Sequence, residues 1–402
     1  MKVHPLFLLL IYYTSLNCQV TAQDNFKVKT GAEILIESYL SELESRNIGL
    51  VMNPTARIGS THVLDTLLSH NIQIRALYSP EHGFRGEFSD GEIINDGIDQ
   101  ESGLPVYSLY GSTTKPTTAM LQGIDLLLFD MQDVGARFYT FNATMRYVIE
   151  AATEQGIEVW ILDRPNPAGG EYVSGWILDS KLESMVGTHE TPIAHGMTLG
   201  ELALMGIGEG WYDLSKEPKL KIIEMEGWNR SMKWPETGLP WFPPSPNLPT
   251  FEHAFTYLGT CLIEGTTISE GRGTDDPFLT IGAPDFKAKM ESLQEIANRY
   301  SITIDTLSFK PISIPGKSMY PKYQDETLRG IKISVTENFS SPVEFGVEIT
   351  NYFLKNSTSA KYREYMNLLA GYQATSIDSL IMNWDADVDS FLQKRNKYLL
   401  YR

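Results

Sequence analysis

Cysteine is scarce in this 402-residue sequence, which contains only Cys18 and Cys261. Cys18 lies in a segment that we expect to be removed, and a single remaining cysteine can form no internal disulfide. Basic residues are also few: the sequence has 33 lysines and arginines but 50 acidic residues, which gives a formal net charge of −17 at pH 7. This balance argues against nucleic acid as a partner, since contact with phosphate backbones requires basic surface.

Long apolar runs are absent beyond the N-terminus. There, LFLLLIYY (residues 6–13) follows Lys2 and is too short to cross a bilayer. Val20 and Ala22 occupy the −3 and −1 positions of a cleavage site and predict a signal peptide at 1–22. We therefore expect an exported protein, periplasmic or secreted, without a stable membrane span. A lipoprotein anchored through Cys18 is the less favoured alternative.

The fingerprints of common cofactor, metal and nucleophile sites are missing. No G-x-G-x-x-G follows a predicted strand, so no dinucleotide is supported and no cofactor is expected. H-E-x-x-H and C-x-x-C are absent, although a metal site made of His82, Asp130, Asp133 and His195 remains an alternative. Without G-x-S-x-G, and with Cys261 in an apolar helical pattern, nucleophilic acyl transfer is disfavoured.

The first half of the chain alternates short apolar runs with helical patterns. The runs predict five strands: NIGLVM, IQIRALY, LPVYSLY, IDLLLF and IEVWIL. Continuous apolar strands alternating with helices are typical of a parallel sheet covered on both faces, which predicts an α/β, Rossmann-like fold. The second half mixes strand and helix patterns and predicts a smaller α+β domain. We place the Rossmann-like domain at 23–230 and the C-terminal domain at 231–402.

Polar residues collect after four of the predicted strands. They are Asn53 and Arg57 after the first strand, Glu81, His82 and Arg85 after the second, Asp130, Asp133, Arg137 and Tyr139 after the fourth, and Asp163, Arg164 and Asn166 after the fifth. Each alone could simply cap the next helix. Ligands of open α/β sheets bind beyond the carboxyl ends of the strands, so the shared position favours a ligand site.

The second half adds the segment SEGRGTDDPF (269–278). Its two alternate glycines allow a backbone to approach a ligand closely. Arg272 between them could hold a carboxylate through two parallel hydrogen bonds, while Glu270 adds a carboxylate. A tight glycine turn is the alternative reading. Among the reactions considered, carboxylate acid–base chemistry, as in glycoside hydrolysis, fits these residues best.

Six segments together resemble the NamZ family of exo-β-N-acetylmuramidases. In chain order they are SPEHGFRG, FDMQDVGARFYT, ILDRPNPAGG, AHGMTLGELA, GLPWFPPSPNLPT and SEGRGTDDPF. The resemblance implies a glycosidase that removes N-acetylmuramic acid from the non-reducing ends of peptidoglycan fragments. Its partners would be muropeptides or disaccharides from peptidoglycan, and the active cleft would lie between the two domains. The oligomeric state is left open.

The resemblance also assigns roles residue by residue. It makes Glu81 the general acid, supported by His82, and we count Asp130 as a third catalytic residue. The remaining candidates are expected to bind the substrate: Asn53, Arg57, Arg85, Asp133, Arg137, Tyr139, Asp163, Arg164, Asn166, Glu270, Arg272 and Thr274. The arginines would hold the lactyl carboxylate of N-acetylmuramic acid.

The sequence departs from the family pattern at GIKIS (330–334), where a cysteine is expected, and at EYVSGWILD (171–179). These departures concern substrate contacts and leave Glu81 untouched. The partner of Glu81 stays open between Asp130, Asp133, Glu270 and the substrate's acetamido group. Two other functions also stay open: a muropeptide-binding protein without turnover, and a metal-dependent hydrolase of another anionic substrate.

Overall fold

A computed structural model describes residues 27–85, 95–373 and 380–402 of the chain. The predicted signal peptide, Cys18 and the last glycine of SPEHGFRG lie outside these residues, so export stays a prediction. The helices are α1 Gly31–Ser38, α2 Leu40–Leu43, α3 Val63–Ser69, α4 Phe141–Gln155, α5 Leu199–Gly208, α6 Phe251–Thr260, α7 Met290–Tyr300, α8 Pro342–Asn356, α9 Tyr365–Ala370 and α10 Asp385–Arg395. In the described ranges, no helix is both long and apolar enough to cross a membrane.

The strands form a large sheet, a small sheet and a short hairpin. They are β1 Ile48–Met52, β2 Arg57–Ile58, β3 Thr61–His62, β4 Ile74–Ser79, β5 Gly97–Ile98, β6 Pro105–Ser108, β7 Leu126–Asp130, β8 Glu158–Leu162, β9 Leu220–Ile223, β10 Thr280–Ala283, β11 Ile302–Phe309 and β12 Leu328–Val335. The large sheet has the order β5-β6-β4-β1-β7-β8-β9. All neighbours in it are parallel except β5 and β6.

This strand order confirms the Rossmann-like prediction. When the parallel strands are numbered along the chain, their order is 3-2-1-4-5-6, which is that of the doubly wound Rossmann fold. The five strands expected from apolar runs are all present. Strand β9 was not predicted from the sequence, because Lys219 and Lys221 interrupt its apolar pattern and the strand lies at the sheet edge.

The central strands are buried because helices cover both faces of the sheet. Every residue of β1 and β7 is buried. Leu126 and Leu128 of β7 pack with α1 and α3, whereas Leu127 and Phe129 pack on the opposite face with α4 and α5. This alternation follows from the two-residue period of a strand. The polar side chains that follow these strands therefore lie at the carboxyl edge of the sheet and not on its covered faces.

The C-terminal region contains an antiparallel sheet in the order β10-β12-β11, together with α6, α7 and α8. Its apolar core is continuous with one face of the large sheet. Helices α6 and α8 cross closely at Gly259 and Gly346, where a Cβ on Gly346 would lie 2.1 Å from the carbonyl carbon of Gly259. The smaller α+β region is therefore as predicted, while the exact boundary at residue 230 stays a prediction.

Candidate active site

A cavity of about 580 Å³ lies at the carboxyl edge of the large sheet, between the two halves of the chain. This volume is in the range of about 300–1,000 Å³ typical of small-ligand pockets. Its wall includes Glu81, His82, Tyr110, Gly111, Thr114, Phe138, Tyr139, Thr140, Ser184, Met185 and Val186 from the first half, and Ser245, Leu248, Tyr257, Glu264, Arg272, Phe278, Tyr365 and Leu368 from the second.

Glu81 and His82 enter the cavity wall from the bend that follows β4. Glu81 accepts a hydrogen bond on Oε2 from the Thr140 hydroxyl at 3.0 Å. His82 is buried and has a left-handed backbone, with φ of 73°. Phe278 on the opposite wall is also left-handed, with φ of 65°. Such conformations cost a non-glycine residue roughly 1–3 kcal/mol and tend to occur at functional sites.

Contacts between aromatic rings connect the part of the cavity wall from the first half of the chain with the part from the second half. Phe138 and Tyr139 follow β7, and their ring centroids lie 5.4 and 6.1 Å from that of Tyr257 in α6. Tyr257 in turn meets Phe278 at 4.8 Å. All four rings line the cavity, and the pairs between them are edge-to-face. This geometry is favourable for aromatic pairs and keeps the walls at a defined separation.

The part of the cavity wall from the second half of the chain carries an ion pair that was not predicted from the sequence. Arg272 donates from Nε at 3.0 Å and from Nη2 at 2.7 Å to Oε1 of Glu264. Glu264 lies in the 3-10 turn Cys261–Gly265 that follows α6, at the end of an apolar run that predicts packing. The one sequence feature that could have identified Glu264 as a site residue is its acidic side chain at the end of this apolar run. Glu270 is buried beside the pair, 3.7 Å from Arg272 and 2.8 Å from Lys322.

The residues after β1, β7 and β8 come together as expected, but in a network of bonds with one another. The guanidinium of Arg164 forms a two-point ion pair with the buried carboxylate of Asp130 and also donates to the carbonyl of Arg57 at 3.1 Å. Asn53 Oδ1 accepts from the backbone N–H of Thr55 at 3.0 Å. None of the predicted residues in this network lines the large cavity. Arg57 and Arg164 instead border a space of about 20 Å³.

Asp133, Asn166 and Asp163 also lie away from the cavity wall. Asp133 accepts from the Gly135 N–H at 2.8 Å and is 3.5 Å from Nε2 of His195. The amide of Asn166 donates to the Met197 carbonyl at 3.0 Å. These contacts hold loops of the sheet edge in place, so the proposed substrate-binding roles of these residues have no direct geometric support.

Asp163 is fully buried at the end of β8 and bonds to three donors. They are the Thr198 hydroxyl at 2.6 Å, the Gly200 N–H at 3.0 Å and the Tyr401 hydroxyl at 2.7 Å. Burial raises the pKa of Asp163 to about 7, against the effect of these bonds. Thr198 also forms a capping box with Glu201 at the start of α5. Asp163 thus connects the sheet, α5 and the C-terminus.

The five arginines expected at one cleft are dispersed, and among them only Arg272 lines the large cavity. Arg85 pairs with Asp99 at 2.6 Å, which lowers the pKa of Asp99 to about 2. Arg137 is buried and donates to three backbone carbonyls. Thr274 closes the glycine turn by donating to the Gly271 carbonyl at 2.6 Å. The alternative of a tight glycine turn therefore holds for this residue.

Among the described residues of the cavity wall, two are acidic, Glu81 and Glu264. Asp130, Asp133 and Glu270 do not line the cavity. Within the described ranges, no group of three or more His, Cys, Asp and Glu side chains is arranged to hold a metal ion. Cys261 is buried as predicted, and burial raises the pKa of its thiol. The wall therefore offers carboxyl groups, hydroxyl groups, a guanidinium and aromatic rings.

The fold and this wall define an α/β protein with a carboxyl-bearing, aromatic ligand site suited to a sugar. The chain belongs to the NamZ family. Residues 48–252 match the family model of the exo-β-N-acetylmuramidase NamZ N-terminal domain, and residues 255–401 match that of its C-terminal domain. The resemblance inferred from the six motifs is thus confirmed.

One curated relative and two solved structures are similar over nearly the full chain. The relative is the peptidoglycan β-N-acetylmuramidase NamZ of Bacillus subtilis (strain 168), 38% identical over 395 residues, which are 93% of this chain and 92% of the relative. The structures are two DUF1343 family proteins of Bacteroides fragilis NCTC 9343. Both are 33% identical and cover 94% of this chain, with TM-scores of 0.80 and 0.77 over 100% and 99% of their own lengths.

Proposed function

We propose that this protein is an exo-β-N-acetylmuramidase that releases N-acetylmuramic acid from the non-reducing ends of peptidoglycan fragments. Membership of the NamZ family and the 38% identity to a relative named for this activity support the proposal. The observation that carries it in this chain is the position of Glu81, which lies in the wall of a cavity of about 580 Å³ and receives a hydrogen bond from Thr140.

Glu81 is the general acid in this proposal. It protonates the glycosidic oxygen as the bond to the sugar breaks, which is the step that glycosidases assign to a carboxylic acid. His82 is the next residue in the wall and supports its orientation. For the second reacting group we propose either Glu264, which also lines the cavity, or the acetamido group of the substrate itself.

We assign recognition of the lactyl carboxylate to Arg272. Among the described residues that line the cavity, Arg272 is the one arginine. A guanidinium binds carboxylates through parallel hydrogen bonds. Its ion pair with Glu264 holds the planar group in place. The rings of Tyr139 and Tyr257 supply apolar surface for a sugar face.

We also propose that the protein acts in the periplasm or outside the cell. The pattern of residues 1–22 supports this location, since it is that of a signal peptide. Mass spectrometry of the protein from its native cell envelope should find the N-terminus at Gln23. A chain that retains residues 1–22 in the cytoplasmic fraction would contradict export.

The activity is tested with two substrates. One is an N-acetylmuramyl-N-acetylglucosamine disaccharide, whose leaving hydroxyl needs a proton, and the other is 4-nitrophenyl β-N-acetylmuramide, whose leaving group needs little help. We expect Glu81→Gln to lower kcat/KM for the disaccharide about 10²–10⁴-fold and for the 4-nitrophenyl sugar by less. Glu326→Gln, at an exposed position outside the cavity wall, is the matched control and should behave like wild type.

Each alternative has its own outcome in these assays. Near-wild-type turnover of the disaccharide by Glu81→Gln would show that Glu81 is not the acid. Binding of the disaccharide by the wild-type protein without product would favour a muropeptide-binding protein. Activity that a chelator removes and a divalent ion restores would favour a metal-dependent hydrolase.

A further inference from the structure

We propose that Thr140 is a positioning residue that orients the proton of Glu81, an inference that rests on the proposed function. Its hydroxyl donates to Oε2 of Glu81 at 3.0 Å, and both side chains line the large cavity. A protonated carboxyl group carries its proton on one oxygen only. With Oε2 held as an acceptor, the proton resides on Oε1, the oxygen that then serves the glycosidic bond.

The hydrogen bond strengthens as the reaction proceeds. Glu81 gives its proton from Oε1 to the glycosidic oxygen, the bond from that oxygen to the sugar carbon breaks, and the leaving sugar keeps the proton. Water then supplies the hydroxyl group on the sugar carbon and the proton that restores Glu81. While Glu81 is ionised, Thr140 donates to a carboxylate rather than to a neutral acid. Hydrogen bonds to charged acceptors are the stronger ones, so Thr140 favours the transition state over the ground state.

The backbone around Thr140 is built to hold this hydroxyl in place. Thr140 precedes α4, and its carbonyl accepts from the N–H and the hydroxyl of Thr144 at 3.0 and 3.3 Å. The side chain of Asn142 donates to the carbonyl of Ala136 at 3.0 Å and fixes the entry into the helix. The preceding Tyr139 is packed against Phe141, with ring centroids 4.7 Å apart.

The Thr140 hydroxyl is not needed to start the helix. Thr140 stands at the N-cap position of α4, but its side chain makes no capping hydrogen bond. The hydroxyl is directed to Glu81 instead, although capping is the usual role of a threonine at this position. The 15-residue helix α4 begins at the residue after Thr140, so its first turn lies beside the Glu81 carboxyl group.

The test compares Thr140→Val with Thr140→Ser in the full chain. Valine keeps the shape of threonine but cannot donate, whereas serine retains the hydroxyl. We expect Thr140→Val to lower kcat/KM about 10-fold to 100-fold for the disaccharide, which needs the proton, and by less for the 4-nitrophenyl sugar. Thr140→Ser should restore most of the loss. Thr153→Val in the same helix, where the hydroxyl bonds the Ile149 carbonyl away from the cavity, is the control and should leave both values unchanged.

Two results overturn the inference. One is wild-type kcat/KM for the disaccharide in Thr140→Val, and the other is an equal loss for both substrates, which indicates general damage to the cavity. Thermal unfolding of each variant verifies that it is folded, and Thr140→Ala provides a second folded chain without the hydroxyl. A wild-type protein that cleaves neither substrate contradicts the proposed function itself. Cleavage by wild type and unchanged cleavage by Thr140→Val contradict only the role of Thr140.

Discussion

Replacing Arg137 by methionine tests whether this residue supports the fold rather than the substrate. Only 2% of the residue is exposed, and its guanidinium donates to the carbonyls of Trp176, Thr191 and Leu369. Leu369 belongs to α9, which also contributes Tyr365 and Leu368 to the cavity wall. Arg137 thus connects the loop after β7 with the C-terminal region. We expect Arg137→Met to destabilise the folded chain even when no substrate is present.

The magnitude follows from the three hydrogen bonds. A hydrogen bond that involves a charged group contributes about 1.5–3 kcal/mol, and methionine replaces none of the three. Part of this loss is offset, because the buried guanidinium is itself costly to desolvate. Burial lowers the pKa of Arg137 to about 9, which shows this cost and leaves the group charged at neutral pH. The net loss in the free energy of unfolding should be about 3–5 kcal/mol.

Urea unfolding of the substrate-free protein at neutral pH measures this loss. Arg299→Met is the matched control, since Arg299 is exposed and pairs with Glu348 on the surface, where ion pairs contribute little. Its unfolding midpoint should equal that of wild type. A structural role of Arg137 is refuted if Arg137→Met unfolds within about 1 kcal/mol of wild type while KM rises, because a direct substrate contact predicts that pattern.

Two further predictions concern Asp163 and Arg272. Burial raises the pKa of Asp163 from 3.8 to about 7. Between pH 3.8 and about pH 7, Asp163 is therefore protonated in the folded chain and ionised in the unfolded chain. Stability should therefore fall by about 4 kcal/mol as the pH rises through this window. Asp163→Asn should remove that fall in urea unfolding, and an unchanged fall would contradict the assignment. Arg272→Gln should lower kcat/KM about 10-fold to 100-fold for the 4-nitrophenyl N-acetylmuramide and less for the N-acetylglucosaminide, which lacks the lactyl carboxylate; equal losses would show that Arg272 does not read this group.

Local sequence patterns were sufficient to predict most of the strands of the first domain. Continuous apolar runs identified the five inner strands, because residues buried on both faces of a sheet leave no polar alternation. The capping box of Thr198 and Glu201 at the start of α5 is likewise a local feature, because it involves residues only three positions apart. Strand β9 could not be predicted in this way. It lies at the edge of the sheet and, among the described strands, pairs only with β8, and such a strand tolerates the lysines that interrupt an apolar run.

The candidate site was predicted less completely. The motif around Glu81 indicated a carboxyl group at the end of β4, and the structure places it in the cavity wall. The ion pair of Asp130 with Arg164 and the hydrogen bonds of Arg137 join residues far apart in the chain. Strand-end position alone cannot distinguish a side chain that faces a ligand from one that binds its neighbours. Glu264 was missed for the related reason that an apolar run conceals its exposure to the cavity.

The sequence by itself determined the fold class, the family and the acidic residue at the end of β4, because these depend on local periodicity and on long contiguous motifs. Only the tertiary structure decided which polar groups share the cavity. The contacts of Thr140 with Glu81 and of Arg272 with Glu264 depend on how separate loops are packed. Asp163, by contrast, is surrounded by donors from α5 and from the C-terminal Tyr401. A side chain's chemical type is written in the sequence, but its partners and its exposure are set by the packing of distant segments.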